Sequence, residues 1–199
     1  TGEKFIRMEM GVPGLAPSRI GTEAEIEALK HGVAQFYPML EGYPVLSEEA
    51  SRFVKNFMDV DIRPEGIIPT VGAMQASYVA FMALTECHKG KDTILFIDPG
   101  FPVQKTQLEV IGKPYQTFDI YEYREEKLEA KLREYLDRGN IAGIVYSNPN
   151  NPSWVCLTDF ELQVIGKLAT EYDTIILEDL AYFAMDFRKD LSHPGKAPF

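Results

Sequence analysis

From about residue 66 onward the chain alternates between two kinds of hydrophobic pattern. Short, nearly continuous apolar runs rich in Ile, Val and Phe ("DTILFIDP", "PYQTFDI", "IAGIVYSNP", "TIILEDLAY") read as buried strands. Between them lie longer segments whose apolar residues recur at helical spacing. "AMQASYVAFMALTECHKG" reads as a largely buried helix, and "FPVQKTQLEVIGK" and "TDFELQVIGKLATEYD" as helices of ordinary length, the last capped by Thr158. "REEKLEAKLREYLDRGN" carries a solvated, charged face. A further short strand is expected in "GIIPTVG". Upstream the pattern is irregular, with Gly11, Pro13, Gly14 and Pro17, and turns helical near Thr22, a predicted N-cap, with Gly32 closing that helix. A second irregular piece, "FYPMLEGYPVL", leads to Ser47 as the expected cap of "EEASRFVKNFM".

Strands alternating with helices of this length imply right-handed crossovers and a mostly parallel sheet covered on both faces. The expected fold is α/β, a three-layer αβα sandwich, without internal repeats or low-complexity tracts. In such sheets ligands bind beyond the carboxyl ends of the strands.

Composition narrows the function class. A chain of 199 residues is long enough for one sizeable core with an appendage. Its 30 acidic residues exceed the 20 basic ones, giving a net charge of −10 with no concentrated basic face, which argues against a nucleic-acid partner. Cys87 and Cys156 have no metal-type or framework spacing, which suits a reducing compartment and gives no reason to expect a metal. No apolar run approaches membrane-spanning length, and "TGEKFIRMEM" lacks a signal-peptide core. A soluble, acidic, cytoplasmic protein is expected.

Four segments at predicted strand ends carry candidate chemistry. "TVGAMQAS" passes through Gly72 into a helix, so the amides of Ala73 and Met74 are first-turn donors suited either to a phosphate monoester or to a plain tight turn. "DPGFPVQ" holds Phe101 between two prolines, where it either stacks on a planar ligand or joins the core. "SNPNNPSW" holds Asn151 in a rigid corner. Its amide both donates and accepts, and the alternative is an Asx-turn that satisfies only local backbone. "IILEDLAY" ends in Glu178 and Asp179, with Tyr182 close behind. A carboxylate there calls for a positive partner, unless it caps a helix. A phosphate cradle, a stacking ring, an amide for a ring hydroxyl and an acid for a ring nitrogen together match the functional groups of pyridoxal 5′-phosphate.

On these residues the chain resembles the class I/II aminotransferases, the fold type I pyridoxal-phosphate enzymes. The likeness runs from "GVPGLAP" to "EDLAY" and includes "YPMLEGYP"; the N-P-x-N-P corner and the D-x-A-Y box are its specific elements. The resemblance implies that Asp179 pairs with the pyridine nitrogen. It also implies that Tyr182 and Asn151 hydrogen-bond the ring oxygen, with Asn151 also near the substrate carboxylate. Phe101 would stack on the ring, Ala73 and Met74 would supply amides to the phosphate, and Tyr37 would reach the phosphate of a neighbouring subunit in a homodimer. Gly11 would line the substrate side. The substrates implied are an amino acid and a 2-oxo acid.

Three departures from the family pattern stand out. Ser153-Trp154 replaces the usual Thr-Gly, putting the only tryptophan where a glycine is common. None of the twelve lysines lies in the context of the family's Schiff-base lysine; Lys189 and Lys196 sit in a Pro/Gly-containing loop. The family's carboxylate-binding arginine has no counterpart either. The expectation is a polypeptide made of an N-terminal segment (1–20) that goes with the small domain and a cofactor-binding large domain (21–199), truncated before the lysine and inactive alone. A pyridoxal-phosphate carbon–sulfur lyase and a regulatory, aminotransferase-like ligand-binding domain share these motifs. The three histidines, His31, His88 and His193, read as cap or surface residues.

Overall fold

The structure is a computed structural model and describes residues 2, 4–6, 11, 14–183 and 185. The chain divides into two compact units, Thr1–Glu41 and Gly42–Phe199.

The first unit contains helix α1, Arg19–Lys30, and a single 3-10 turn, Val33–Gln35. The helix starts one turn earlier than Thr22: its N-cap is Ser18, whose carbonyl accepts the Thr22 hydroxyl at 3.0 Å. Thr22 therefore bonds back into the preceding turn instead of capping. Gly32 ends the helix at φ 80°, a left-handed conformation that glycine adopts without steric cost.

The second unit begins with α2, Pro44–Met58, capped by Tyr43 with Pro44 in the first helical position. Ser47 lies inside this helix and is buried, so it is not the cap. Proline at the start supplies a preset φ and lacks only a donor that would have been unpaired there. After a 3-10 turn at Pro64–Gly66 the chain reaches α3, Gly72–Cys87, without forming the strand expected in "GIIPTVG". Pro69 has no N–H to give a neighbour, and Ile68 and Val71 remain 73% and 87% exposed, so this stretch has neither ladder partner nor core face.

From there the expected alternation holds: β1 Thr93–Asp98, α4 Pro102–Ile111, β2 Tyr115–Asp119, α5 Glu126–Leu136, β3 Ile141–Ser147, α6 Asp159–Glu171 and β4 Ile175–Asp179. The four strands form one parallel sheet in the order β2-β1-β3-β4. Leu95 and Ile97 of β1 pack with Leu128, Leu132 and Leu136 of α5 and with Val164, Ile165 and Leu168 of α6. Ile94 and Phe96, pointing the other way, pack with Phe81 and Leu84 of α3 and Leu108 of α4. This period-two division of apolar side chains between two faces makes the three layers. From β1 the chain goes to β2 on one side, then crosses to β3 on the other. The switch point therefore lies between the carboxyl ends of β1 and β3.

The link from β3 to β4 is locked by a buried ion pair. Glu161, in the first turn of α6, is fully buried. Its carboxylate accepts Nε of Arg124 at 2.5 Å, the Glu125 amide at 3.0 Å and the Thr158 amide at 2.9 Å. The Thr158 hydroxyl accepts the Glu161 amide at 3.2 Å, completing the capping box that the sequence suggests. Burial pushes the Glu161 carboxyl up, but Arg124 and the two amides outweigh it and hold it below the usual carboxylate range.

Candidate active site

Three strand ends and one helix start converge on a single pocket of about 160 Å3 within the second unit. A cavity of roughly 150 Å3 accepts benzene, so the space suits one six-membered ring. Its lining includes Ala73 and Met74 from the start of α3, Phe101 after β1, Asn151 after β3, and Asp179 and Tyr182 at and beyond the end of β4. All six residues expected at a ligand site in this unit are thus brought together. Gly11 and Tyr37 belong to the first unit, and both are exposed there. Lys189, Lys196 and His193 lie outside the described residues.

Pairing register decides which acid enters the pocket. Tyr146 pairs with Glu178 and Ser147 with Asp179. Side chains alternate along a strand, so Ser147 and Asp179 share the pocket face while Tyr146 packs into the α5–α6 core. The Asp179 carboxylate accepts the Gln104 side-chain amide on Oδ2 and the Ala181 backbone amide on Oδ1, each at 3.0 Å. Glu178 is half-buried away from the pocket. Burial pushes its carboxyl up, partly offset by a hydrogen bond from the Asn148 side chain. The Tyr146 hydroxyl is likewise raised, first by burial and then by the charge of Glu178.

The asparagine corner divides its labour. Asn148 is buried, accepting the Leu157 amide at 3.1 Å on its side-chain oxygen. Asn150 is buried as well; its side chain donates to the Pro99 carbonyl at 2.5 Å and accepts the Ser153 amide at 3.1 Å and the Ser153 hydroxyl at 2.7 Å. These two side chains are spent inside the protein, on nearby backbone as in an Asx-turn and on the Pro99 carbonyl and Glu178 farther along the chain. Asn151 differs: its backbone amide donates to the Ser147 hydroxyl at 3.2 Å, while its side-chain amide has no partner among the described residues and faces the pocket. Ser147 also accepts from Asn150 at 3.1 Å, which leaves its own hydroxyl proton available.

At the start of α3, the Val71 amide donates to the Gln75 side chain at 2.6 Å and the Gly72 amide to Thr70 at 2.9 Å. Gly72 takes φ 73°, which turns the chain into the helix. The next two amides, of Ala73 and Met74, have no acceptor among the described residues and stand at the positive end of the helix dipole. Phe101 is the N-cap residue of α4 and is half-buried on the pocket wall, not part of the core.

Gln104, Ser147, Ser77 and Gln107 also line the pocket, and sequence reasoning missed them. Gln104 had one available signal: it lies three residues after Phe101 on the same helix, hence on the same face. Ser77 and Gln107 both donate to the Met74 carbonyl, at 3.1 and 2.8 Å, and so brace the first turn of α3. No lysine lines the pocket among the described residues. His31 and His88 are C-cap residues, of α1 and α3, as expected. Among the described residues no group of His, Cys, Asp and Glu side chains could hold a metal ion, and no helix is long and apolar enough to cross a membrane.

The pocket's donors and acceptors fit a phosphorylated pyridine. An acid at one end, two unpaired amides at a helix start, an aromatic wall, and Asn151 and Tyr182 with free polar atoms correspond to its nitrogen, phosphate, ring face and ring oxygen. Comparison with known proteins points the same way. Residues 3–193 match the family model described as aminotransferase class I and II. The chain is 30% identical over 183 residues to an aspartate aminotransferase of Pyrococcus horikoshii, covering 90% of this chain and 45% of that protein. It is 28% identical to aromatic-amino-acid aminotransferase 2 of Thermococcus litoralis, covering 96% of this chain and 49% of that one. Among solved structures it is similar to an alanine aminotransferase from Pyrococcus furiosus, with TM-score 0.82, 26% identity, and coverage of 95% of this chain and 48% of the other. The chain therefore spans about half the length of the relatives it matches.

Proposed function

Since the chain belongs to the class I and II aminotransferase family, we propose that it forms the pyridoxal 5′-phosphate site of an enzyme that moves an amino group between an amino acid and a 2-oxo acid. The observation that carries this reading is that the Asp179 carboxylate and the free Asn151 amide line the same ring-sized pocket. The names of the relatives support transfer over carbon–sulfur elimination.

When bound, the cofactor supplies an electron-accepting ring that labilises bonds at the substrate's α-carbon. The protein's part is positional and electrostatic. Asp179 holds a proton on the ring nitrogen, because an adjacent negative charge favours the charged form. Gln104 and the Ala181 amide fix both oxygens of that carboxylate. Asn151 and Tyr182 direct hydrogen bonds at the ring oxygen, with Asn151 also available to a substrate carboxylate. The amides of Ala73 and Met74 take the phosphate, and Phe101 covers one ring face, keeping water from it. Gly11 lines the substrate side.

Residues 1–20 go with a small domain and 21–199 with the cofactor-binding domain in this reading. The complete protein works in the cytoplasm as a homodimer. Exposed apolar side chains such as Val45, Leu46 and Phe53 on α2 support such a partner surface, and Tyr37 would reach the neighbouring subunit's phosphate.

The direct test is titration with pyridoxamine 5′-phosphate, whose amine replaces the aldehyde and so leaves surface lysines unlabelled. Saturable binding that quenches the single tryptophan is expected; no binding up to millimolar ligand overturns the reading. A companion variant isolates the support given to Asp179. Gln104→Leu leaves a half-buried carboxylate oxygen without its donor, which costs about 1–3 kcal/mol. Affinity in the same titration should therefore fall about tenfold.

A further inference from the structure

Trp154 adopts φ 58°, in the left-handed region that suits glycine and that bulky side chains adopt reluctantly. The asparagine corner imposes this conformation. The Trp154 amide donates to the Asn150 carbonyl at 2.8 Å, and the Asn150 amide donates to the Val155 carbonyl at 2.9 Å, so residues 150–155 close on themselves around position 154. Core burial does not compensate, because the residue is 47% exposed. What the indole does reach is the ring of Tyr182, at 5.9 Å between centroids and 77° between planes, the edge-to-face geometry that aromatic pairs favour. Tyr182 lines the pocket, and its hydroxyl has no partner among the described residues. A strained backbone retained without core packing points to function.

We infer that Trp154 is a positioning residue whose indole fixes the Tyr182 ring so that the phenol hydroxyl stays on the pocket wall. Tyr182 sits on the turn just after β4, where one aromatic neighbour restricts the ring's orientation. Trp154 does not itself line the pocket and acts only through Tyr182. The inference rests on the cofactor reading above for its ligand.

Trp154→Gly is a clean probe, because glycine takes the left-handed conformation without strain and the corner's hydrogen bonds involve only backbone at this position. Followed by the ligand's own absorbance, since this variant has no tryptophan to quench, loss of one edge-to-face contact should weaken pyridoxamine 5′-phosphate binding by about three- to tenfold and shift its bound absorption maximum in the direction given by Tyr182→Phe. Trp154→Phe, which restores an aromatic edge, should return affinity to within about twofold. In a Tyr182→Phe background, Trp154→Gly should produce no further spectral shift, because the hydroxyl it positions is gone. Wild-type affinity in Trp154→Gly, or an undiminished shift in that background, overturns the proposal.

A wild-type chain that binds no pyridoxamine 5′-phosphate overturns the cofactor reading instead. The positioning contact is then decided by 5-fluorotryptophan labelling, which gives one fluorine resonance. Tyr182→Leu should move that resonance through the lost ring current, and an unmoved resonance overturns the contact.

Discussion

Asp179→Ala is expected to abolish detectable binding of pyridoxamine 5′-phosphate to this chain and to lower transamination by the complete protein by about a thousandfold or more. The scale follows from electrostatics: one preorganised group aimed at a charge in a water-poor site is worth roughly 10²- to 10³-fold. In the proposed site the group would also maintain the proton that makes the ring an electron acceptor. Asp179→Asn separates charge from shape, keeping one acceptor oxygen for Gln104 or Ala181 while losing the negative charge; it should be nearly as damaging. Glu178→Gln is the control. That side chain points to the opposite face of β4, away from the pocket, and its replacement should leave affinity within about twofold. Near-normal turnover in Asp179→Ala would remove the main support for the functional reading, and a large effect of Glu178→Gln would mean the wrong acid had been chosen.

The second large effect is on stability. Arg124→Met should destabilise the fold by about 3–5 kcal/mol, because it leaves the fully buried Glu161 carboxylate with only backbone donors. For a domain of this size that corresponds to a melting point lower by about 10 °C. Glu161→Gln should cost less, since the Arg124 side chain is about a third exposed and can turn to water when its partner is lost. The pH dependence carries a definite sign. Glu161 in the wild type is held below its ordinary value of 4.5. Its contribution is present in full above that value and is lost as pH falls through the lowered folded-state value. Without Arg124 the carboxyl loses its strongest lowering partner and titrates higher than in the wild type, so acidification harms the variant less than the wild type. Melts at pH 7 and near pH 4 should show the gap between the two proteins narrowing at the lower pH. A constant gap would mean that Arg124 acts through packing alone.

The relatives' names span aspartate, aromatic amino acids and alanine. Six residues of the second unit line one pocket, and Ser77 and Gln107 brace the first turn of α3 beside them.

The alternation of apolar runs with amphipathic segments determined the layered α/β fold, the parallel sheet and the location of a site at the strand ends, because strand and helix periodicities are local and each segment carries its own. The N-P-x-N-P and D-x-A-Y motifs likewise named Asn151 and Asp179 before any contact was known. Local signals failed where context decides. "GIIPTVG" has strand composition but no neighbour to pair with, and Thr22 and Ser47 look like caps although the helices begin a turn earlier. Tertiary structure supplied the physical reason that Asp179, the acid the motif names, enters the pocket and Glu178 does not, since that parity is set by pairing with β3. It alone separated the free amide of Asn151 from the locked ones of Asn148 and Asn150. It alone brought Gln104 to Asp179 across 75 positions of sequence. Each of these depends on how crossover helices place distant segments side by side, which no local pattern encodes.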